Sequence, residues 1–400
     1  MDNSQFEREL AELEAHFASD RPELEVTVRD NSLGVEGYVV VWNSRPGAAC
    51  PLGPFGKGGT RITPKVSLEE VRMLAQRMAL KNAAAGLPMG GAKSGLRADP
   101  DAPGFERMYR RFARLVSPNL LENGGVFGGF GFDIGARPEH PMWICDELQS
   151  LRCFTGKPLE MGGTDYDREG VAGLGVAVAA RTAFARVRGS INGVTCAIQG
   201  MGAMGAAVYR FLREFGADVR VIADPRLGGG FLLPEQIPDD LDEALASQHF
   251  AHAIAYISQL ALKKVPMDQI HAQDVEAFFP CAVQDVIHAG NYQEILAEWV
   301  FEGANGPCSR EAQELLYQKG ICVVPDFIAN PGGIIAAYIE LTSNVTPEEN
   351  ARTRRKVQEA KEYTEIKIAE NVITTIELAA MAEVSLVRAG KLLALRNMYQ

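Results

Sequence analysis

The stretch VTCAIQGMGAMGAAVYRFLREFGADVRVIAD, residues 194–224, decides the fold. It opens on an apolar run suited to a buried parallel strand, GMGAMG follows without a spacer, and AAVYRFLREF has the period of an amphipathic helix closed by Gly216. DVRVIAD then reads as a second buried strand, so the whole is a βαβ unit with parallel strands. Gly200, Gly202 and Gly205 fit G-x-G-x-x-G, with Met201, Ala203 and Met204 filling the turn and Asp224 at the end of the next strand. Such glycines let a pyrophosphate approach the free N–H groups at a helix start, where the helix dipole favours negative charge. A tight structural turn is the other use of the pattern; strand, helix and acid in register point to dinucleotide binding. Asp224 would accept from ribose hydroxyls and repel a 2′-phosphate, which favours NAD. Arg226 is placed to welcome that phosphate, so NADP stays open.

Outward from this unit, the apolar runs VEAFFPCAV, WVFEGAN and ICVVPDF alternate with helical stretches to about residue 330, as in a doubly wound sheet. On the other side, LEVTVRD and GYVVVW within residues 24–43 read as strands, and the glycine- and proline-rich PGAACPLGPFGKGGTRITP as irregular. Ser67 with Glu70 forms a capping box for a helix that carries Val71, Leu74, Met78 and Lys81 on one face and stops at Gly86 and Pro88. Thr346 and Pro347 start a long charged helix, and EVSLVRAGKLLALRNMY is another. The expected fold is α/β with two domains. A substrate-binding and oligomerisation domain takes residues 1–165 and 331–400, and a Rossmann-like dinucleotide-binding domain takes 166–330, with catalysis in a cleft.

Four hundred residues with a formal charge of −11 do not suit nucleic acid or an anionic membrane surface as partner. No apolar run reaches spanning length, since GLGVAVAARTAFARV is cut by Arg181. The acidic start, with Phe6, Leu10, Leu13 and Phe17 at helical spacing, reads as a helix rather than a signal peptide. Seven scattered cysteines without a CxxC pair suit reduced thiols in a cytoplasmic protein, and six dispersed histidines give no metal-ligand cluster, so no metal is expected.

Lysines 57, 81 and 93 are distributed oddly for solvated charge. Lys57 in KGGTR and Lys93 in LPMGGAKSGL fall in what read as glycine-rich loops, and Lys81 falls on a core-facing stripe, where an amine needs an outward path or an anionic partner. Glycines beside Lys93 would clear room for a ligand; a surface loop with its lysine in water is the plainer reading. Crowded, partly desolvated ammonium groups depress one another's pKa, so one of them can serve as a base near neutral pH.

From KGGTRITPKVSLEEVRMLAQRMALKNAAAGLPMGGAKSG through FGFDIGARPEHPMWICDE, TGKPLEMGG, GMGAMG, FEGANGP and VVPDFIANPGG, the sequence resembles the glutamate, leucine, phenylalanine and valine dehydrogenases, most of all the glutamate branch. The resemblance covers most of residues 50–340. It implies reversible NAD(P)-dependent oxidative deamination of an L-amino acid to a 2-oxo acid and ammonia, with L-glutamate first among substrates, in a homo-oligomer, commonly a hexamer. By the same resemblance Lys93 is the lysine that activates water, and Asp133 the carboxylate that shuttles protons to the substrate nitrogen. Read alone, Asp133 could equally cap the turn that follows it. Lys81 matches the lysine holding the α-carboxylate, and Lys57 the one that glutamate enzymes use for the distal carboxylate. Asn305 and Asn330 match asparagines near the nicotinamide, although both also suit turns.

Two departures bear on substrate and cofactor. Ala337 stands where the glutamate branch has a serine for the distal carboxylate, and Ile334 adds an apolar wall nearby. Ala172 replaces a threonine near the nicotinamide amide, while Arg168 keeps its place. Besides glutamate, these changes leave open a dehydrogenase of another L-amino acid and a nucleotide-binding regulatory homologue with little activity.

Overall fold

The computed structural model describes residues 1–45 and 50–399; positions 46–49 of the irregular glycine- and proline-rich stretch lie outside the described residues. The chain forms two compact units. One comprises Glu9–Tyr166, Ile334–Ala360 and the segment from Leu392; the other comprises Met1–Arg8, Asp167–Gly333 and Lys361–Lys391.

In the first unit the runs at 24–43 form an antiparallel hairpin, Leu24–Asp30 against Val35–Val41, with Leu24 opposite Val41. The next strand inward is Gly90–Arg97, antiparallel to Val35–Val41 and parallel to the short strands Gly56–Lys57 and Thr60–Thr63. Val39, Val41 and Leu96 join the cluster around the helix Phe105–Val116, while Tyr38, Val40 and Trp42 pack with Val71, Ala75 and Ala79 of the helix Leu68–Ala84. Both faces of the sheet are thus covered, which explains how the successive residues Val39, Val40 and Val41 are all buried. Met398 joins the second of these clusters, and the Tyr399 ring stacks on His16 of the helix Asn3–Ser19 at 4.2 Å.

The expectation that Lys57 and Lys93 sit in loops is corrected, because GGAKSGLR is the strand at the centre of this sheet. Its glycines answer to packing within the protein. A Cβ on Gly91 would lie 2.1 Å from the backbone nitrogen of Ala79, one on Gly90 1.8 Å from the Asn43 carbonyl, and one on Gly58 1.8 Å from the Ala92 carbonyl. The helix Leu68–Ala84 therefore rests directly on strand backbone. Ser67 caps that helix by accepting from the Glu70 N–H (3.2 Å), but the return half of the capping box is not made, since the Glu70 carboxylate pairs with Arg61 at 2.8 Å.

In the second unit a seven-stranded sheet runs in the order Lys264–Val265, Gly229–Leu232, Asp218–Asp224, Thr195–Gln199, Ala277–Pro280, Trp299–Phe301, Cys322–Val324. Its last five strands are parallel, and the first two form an antiparallel edge that the sequence reading lacked. Thr195–Gln199 is paired on one side with the strand that follows it and on the other with Ala277–Pro280, so the order reverses at its carboxyl end, where such sheets bind ligands.

Two expectations about the last seventy residues change. The long helix after Thr346 is broken into Pro347–Thr353 and Arg355–Ala382, because Arg354 adopts a left-handed φ of 55° while Asn350 accepts from the Lys356 N–H. Residues 331–400 also do not return to the first unit as one block. Lys361–Lys391 belong with the second, tied there by Lys361–Glu169, Arg181–Glu365 and Arg186–Glu377 ion pairs and by Ile368 against Gly175.

Candidate active site

Lys93 projects from the middle of the central strand, opposite Val40 across the ladder. Asp133 follows the short strand Phe130–Gly131, which pairs in parallel with Phe154–Thr155. The two meet with Lys93 Nζ 3.0 Å from Asp133 Oδ2, and Arg61 Nε donates to the same oxygen at 3.0 Å. Lys93 is almost sealed, at 6% exposure. Burial holds its ammonium below the ordinary lysine range, against the pull of Asp133. Burial works to raise the Asp133 carboxyl, yet the Lys93 and Arg61 charges outweigh it and keep it below the usual carboxylate range. A lysine held below its ordinary range beside a lowered carboxylate is suited to passing protons to and from a bound molecule.

Lys57 lies deeper, at 1% exposure. Its Nζ donates to the carbonyls of Phe130 (2.6 Å), Gly129 (2.9 Å) and Gly58 (3.2 Å), which use all the N–H bonds an ammonium has. Burial, with Lys157 and Lys93 nearby, brings it down to about 7, against the attraction of Glu340. Lys81 is half-buried in the last turn of the helix that lies on the Lys93 strand. Ile334 and Ala337 lie on the helix Gly332–Thr342, Ala337 buried and Ile334 half-buried.

One turn beyond Ala337, Glu340 was not singled out from sequence. It is buried, pairs with the buried Lys157, and accepts from the N–H groups of Gly156 (3.0 Å) and Thr164 (2.9 Å) and from the Thr164 hydroxyl (2.9 Å). The one signal for it in the sequence is a charge inside the apolar run GGIIAAYIEL.

The second unit carries the other candidate residues. Gly200 turns at φ 89°, a conformation that favours glycine, and a Cβ on Gly205 would meet the Gly200 carbonyl at 1.7 Å, so these two glycines make the turn and seat the helix. Gly202 differs: a Cβ there would approach only the Arg226 guanidinium, at 3.2 Å. It begins the helix Ala203–Glu214, whose first N–H groups receive no side-chain cap. Asp224 Oδ2 accepts from the Met201 N–H (2.7 Å) and Arg226 Nη2 (2.9 Å), and its Oδ1 from the Arg226 N–H (2.8 Å) and Nε (2.9 Å). These fill the about four acceptor positions of a carboxylate, so Asp224 closes the glycine turn and neutralises Arg226. Asn330 Nδ2 donates to the Gly303 carbonyl at 2.9 Å, beside Asn305. Asn330 Oδ1 and Gln199 Oε1 are buried and meet no donor among the described residues. Orphan acceptors in the same unit as an uncapped helix start suit a dinucleotide, which presents both an anionic pyrophosphate and a carboxamide N–H donor. Ala172 is the second residue of the helix Val171–Arg188, and Arg168 is exposed in the short helix Tyr166–Glu169.

A glycine turn and open helix start at the switch point of one unit, with a desolvated lysine–aspartate pair in the other, define a dinucleotide-dependent dehydrogenase. Residues 162–400 match the model of the Glutamate/Leucine/Phenylalanine/Valine dehydrogenase family, and residues 22–150 match its Glu/Leu/Phe/Val dehydrogenase dimerisation domain. The NADP-specific glutamate dehydrogenase of Saccharolobus shibatae is 32% identical over 402 residues, covering 95% of this chain and 92% of its own length. The NADP(+)-dependent glutamate dehydrogenase of Pyrobaculum calidifontis is 36% identical over 333 residues, covering 80% and 76%. Among solved structures, hetero-hexameric glutamate dehydrogenase from Thermus thermophilus in a leucine-bound form aligns with a TM-score of 0.73 at 25% identity, covering 100% of this chain and 96% of that one. The chain belongs to the Glu/Leu/Phe/Val dehydrogenase family, and it is an NAD(P)-dependent amino acid dehydrogenase.

Proposed function

We propose that this chain catalyses the reversible oxidative deamination of L-glutamate to 2-oxoglutarate and ammonia. The observation that carries the reading is the desolvated Lys93 amine 3.0 Å from the Asp133 carboxylate. The bound dinucleotide supplies the hydride acceptor, held by the glycine turn, the uncapped N–H groups after Gly202, Gln199, Asn305 and Asn330. Lys93 in its amine form takes a proton from the water that adds to the imino carbon. Asp133 carries protons to and from the departing nitrogen, with Arg61 holding its carboxylate in place. The burial of Lys93, with Asp133 half-buried beside it, limits competition from bulk water for these protons. Lys81 binds the substrate α-carboxylate, and Arg168, Ile334 and Ala337 contribute to the substrate's surroundings. The names of the relatives support glutamate as the substrate. NAD is the expected dinucleotide, with NADP open because Arg226 stands beside Gly202.

A second reading has an observation of its own. Lys57 has no N–H left for a distal carboxylate and Ala337 offers no hydroxyl, a pairing that favours an amino acid with a less polar side chain. Self-association, with a hexamer expected, is supported by the match to a dimerisation domain and by Leu24–Asp30, whose outer edge has no partner strand among the described residues.

Reductive amination tests these readings, by following NADH and NADPH consumption with ammonia and a panel of 2-oxo acids. Selective turnover of 2-oxoglutarate supports glutamate, and turnover of apolar oxo acids supports the second reading. Silence across the panel with dinucleotide still bound would refute both and leave a regulatory subunit.

A further inference from the structure

The strand Trp299–Phe301 runs into Glu302, and the loop and short helix that follow are held by two carboxylates that cap each other's segments. Glu302 Oε2 accepts the backbone N–H of Asp326 (2.9 Å), the first residue of the helix Asp326–Ala329, and Oε1 accepts from Gln313 Nε2 (2.9 Å). In return Asp326 Oδ2 accepts the Gly306 N–H (2.9 Å), and its carbonyl accepts the Asn330 N–H (2.8 Å). Asn330 Nδ2 is then spent on the carbonyls of Gly303 (2.9 Å) and Ala304 (3.3 Å), which leaves its Oδ1 buried and without a donor among the described residues. The clasp thus sets both the loop that carries Asn305 and the direction in which Asn330 presents its acceptor.

We propose that Glu302 is a positioning residue for the nicotinamide end of the dinucleotide, acting through Asp326 on Asn305 and Asn330. The inference rests on the reading that these asparagines face the nicotinamide. Glu302 is 1% exposed. The titratable groups facing it are Asp326, on the short helix, and Cys308, in the loop; Gln313, on the helix Arg310–Gln318, is uncharged. Burial and the Asp326 carboxylate push the Glu302 carboxyl up to about 7, against the hydrogen bonds it accepts. Protonation turns one acceptor position of the carboxyl into a donor and removes its charge, so the bonds it accepts from the Asp326 N–H and the Gln313 amide weaken, most at the oxygen that takes the proton. The clasp therefore loosens as pH falls through about 7, and the nicotinamide contacts weaken with it.

The test compares NADH (or NADPH, if that binds) with the matching ADP-ribose by titration calorimetry on the full chain between pH 6 and 8.5. ADP-ribose uses the glycine turn but carries no nicotinamide. In the wild type the preference for the dinucleotide over ADP-ribose should fall about tenfold from pH 8.5 to 6, the worth of about one hydrogen bond. Glu302→Gln should hold the low-pH preference at every pH. If dinucleotide and ADP-ribose bind equally at all pH values, the nicotinamide reading fails and the proposal falls with it. If the dinucleotide is preferred but that preference is flat with pH in the wild type, or is unchanged in Glu302→Gln, the positioning role alone is overturned. The wild-type profile decides the matter even where the variant does not fold.

Discussion

Lys93 and Asp133 lie 40 residues apart in the chain, yet the Nζ of the first is 3.0 Å from Oδ2 of the second, with Arg61 on the same oxygen. A central strand supplies one partner and a turn after a two-residue strand supplies the other, so the pair is fixed by the sheet rather than by a flexible loop. Lys93→Ala should lower kcat by about 10³-fold, in the range of a lost general base, while dinucleotide affinity measured by fluorescence stays within about twofold. Loss of dinucleotide binding as well would make the lysine structural.

The Glu340–Lys157 pair is buried on both sides, and removing one partner strands the other charge. Glu340→Gln should destabilise the protein by about 3–5 kcal/mol in urea denaturation, and Lys157→Met added to it should recover part of the loss. Additive losses in the double variant would contradict this account.

Two glycines should behave oppositely when given a Cβ. Gly91→Ala meets the Ala79 backbone and should cost about 1–3 kcal/mol of stability, seen as a lower Tm. Gly202→Ala meets only the half-exposed tip of the Arg226 side chain, at 3.2 Å, and no backbone, so Tm should hold while NADH binding weakens.

Lys57 makes the stability of the fold depend on pH. Its ammonium falls from 10.5 to about 7 on folding, so between those values the unfolded chain binds the proton and the native chain does not. More protons on the unfolded state means that stability rises with pH. From pH 7 to 9 the wild type should therefore gain stability relative to Lys57→Met, as read by urea midpoints at several pH values; parallel curves would show that Lys57 keeps an ordinary lysine pKa.

Asp224 restrains Arg226 by three hydrogen bonds and also closes the turn at Met201. Asp224→Ala should weaken NADH binding about tenfold through the loosened turn, and should shift the NADPH-to-NADH preference upward by freeing the guanidinium. Titration of both dinucleotides checks it, and an unchanged ratio would mean that Arg226 does not reach the ribose.

What the sequence revealed follows the range of the interactions involved. The βαβ unit around Gly200 was legible because strand, turn and helix are each written in consecutive residues. The strand holding Lys93 was not, because its glycines answer to neighbours elsewhere in the chain, Gly91 to Ala79, Gly95 to Val71 and Gly90 to Asn43, and read locally GGAKSG looks like a loop. Glu340 and Lys157 are 183 residues apart, so neither announces its partner, and only an unexpected charge in an apolar helix hinted at one of them. Asp224 was found by spacing, but its engagement with Met201 and Arg226 depends on turn geometry that spacing does not encode.

The packing of Met398 and Tyr399 has a consequence for biosynthesis. The first unit's core includes Met398, Asn397 donates to the Ala83 carbonyl, and Tyr399 closes over His16. As the chain emerges from the ribosome, the sheet around Lys93 is made early but its core stays incomplete until the last of these residues has been translated. The nascent protein must carry that unfinished surface through synthesis of the whole glycine-turn unit, and deletion of only the residues from Asn397 onward should leave a polypeptide that depends on chaperones.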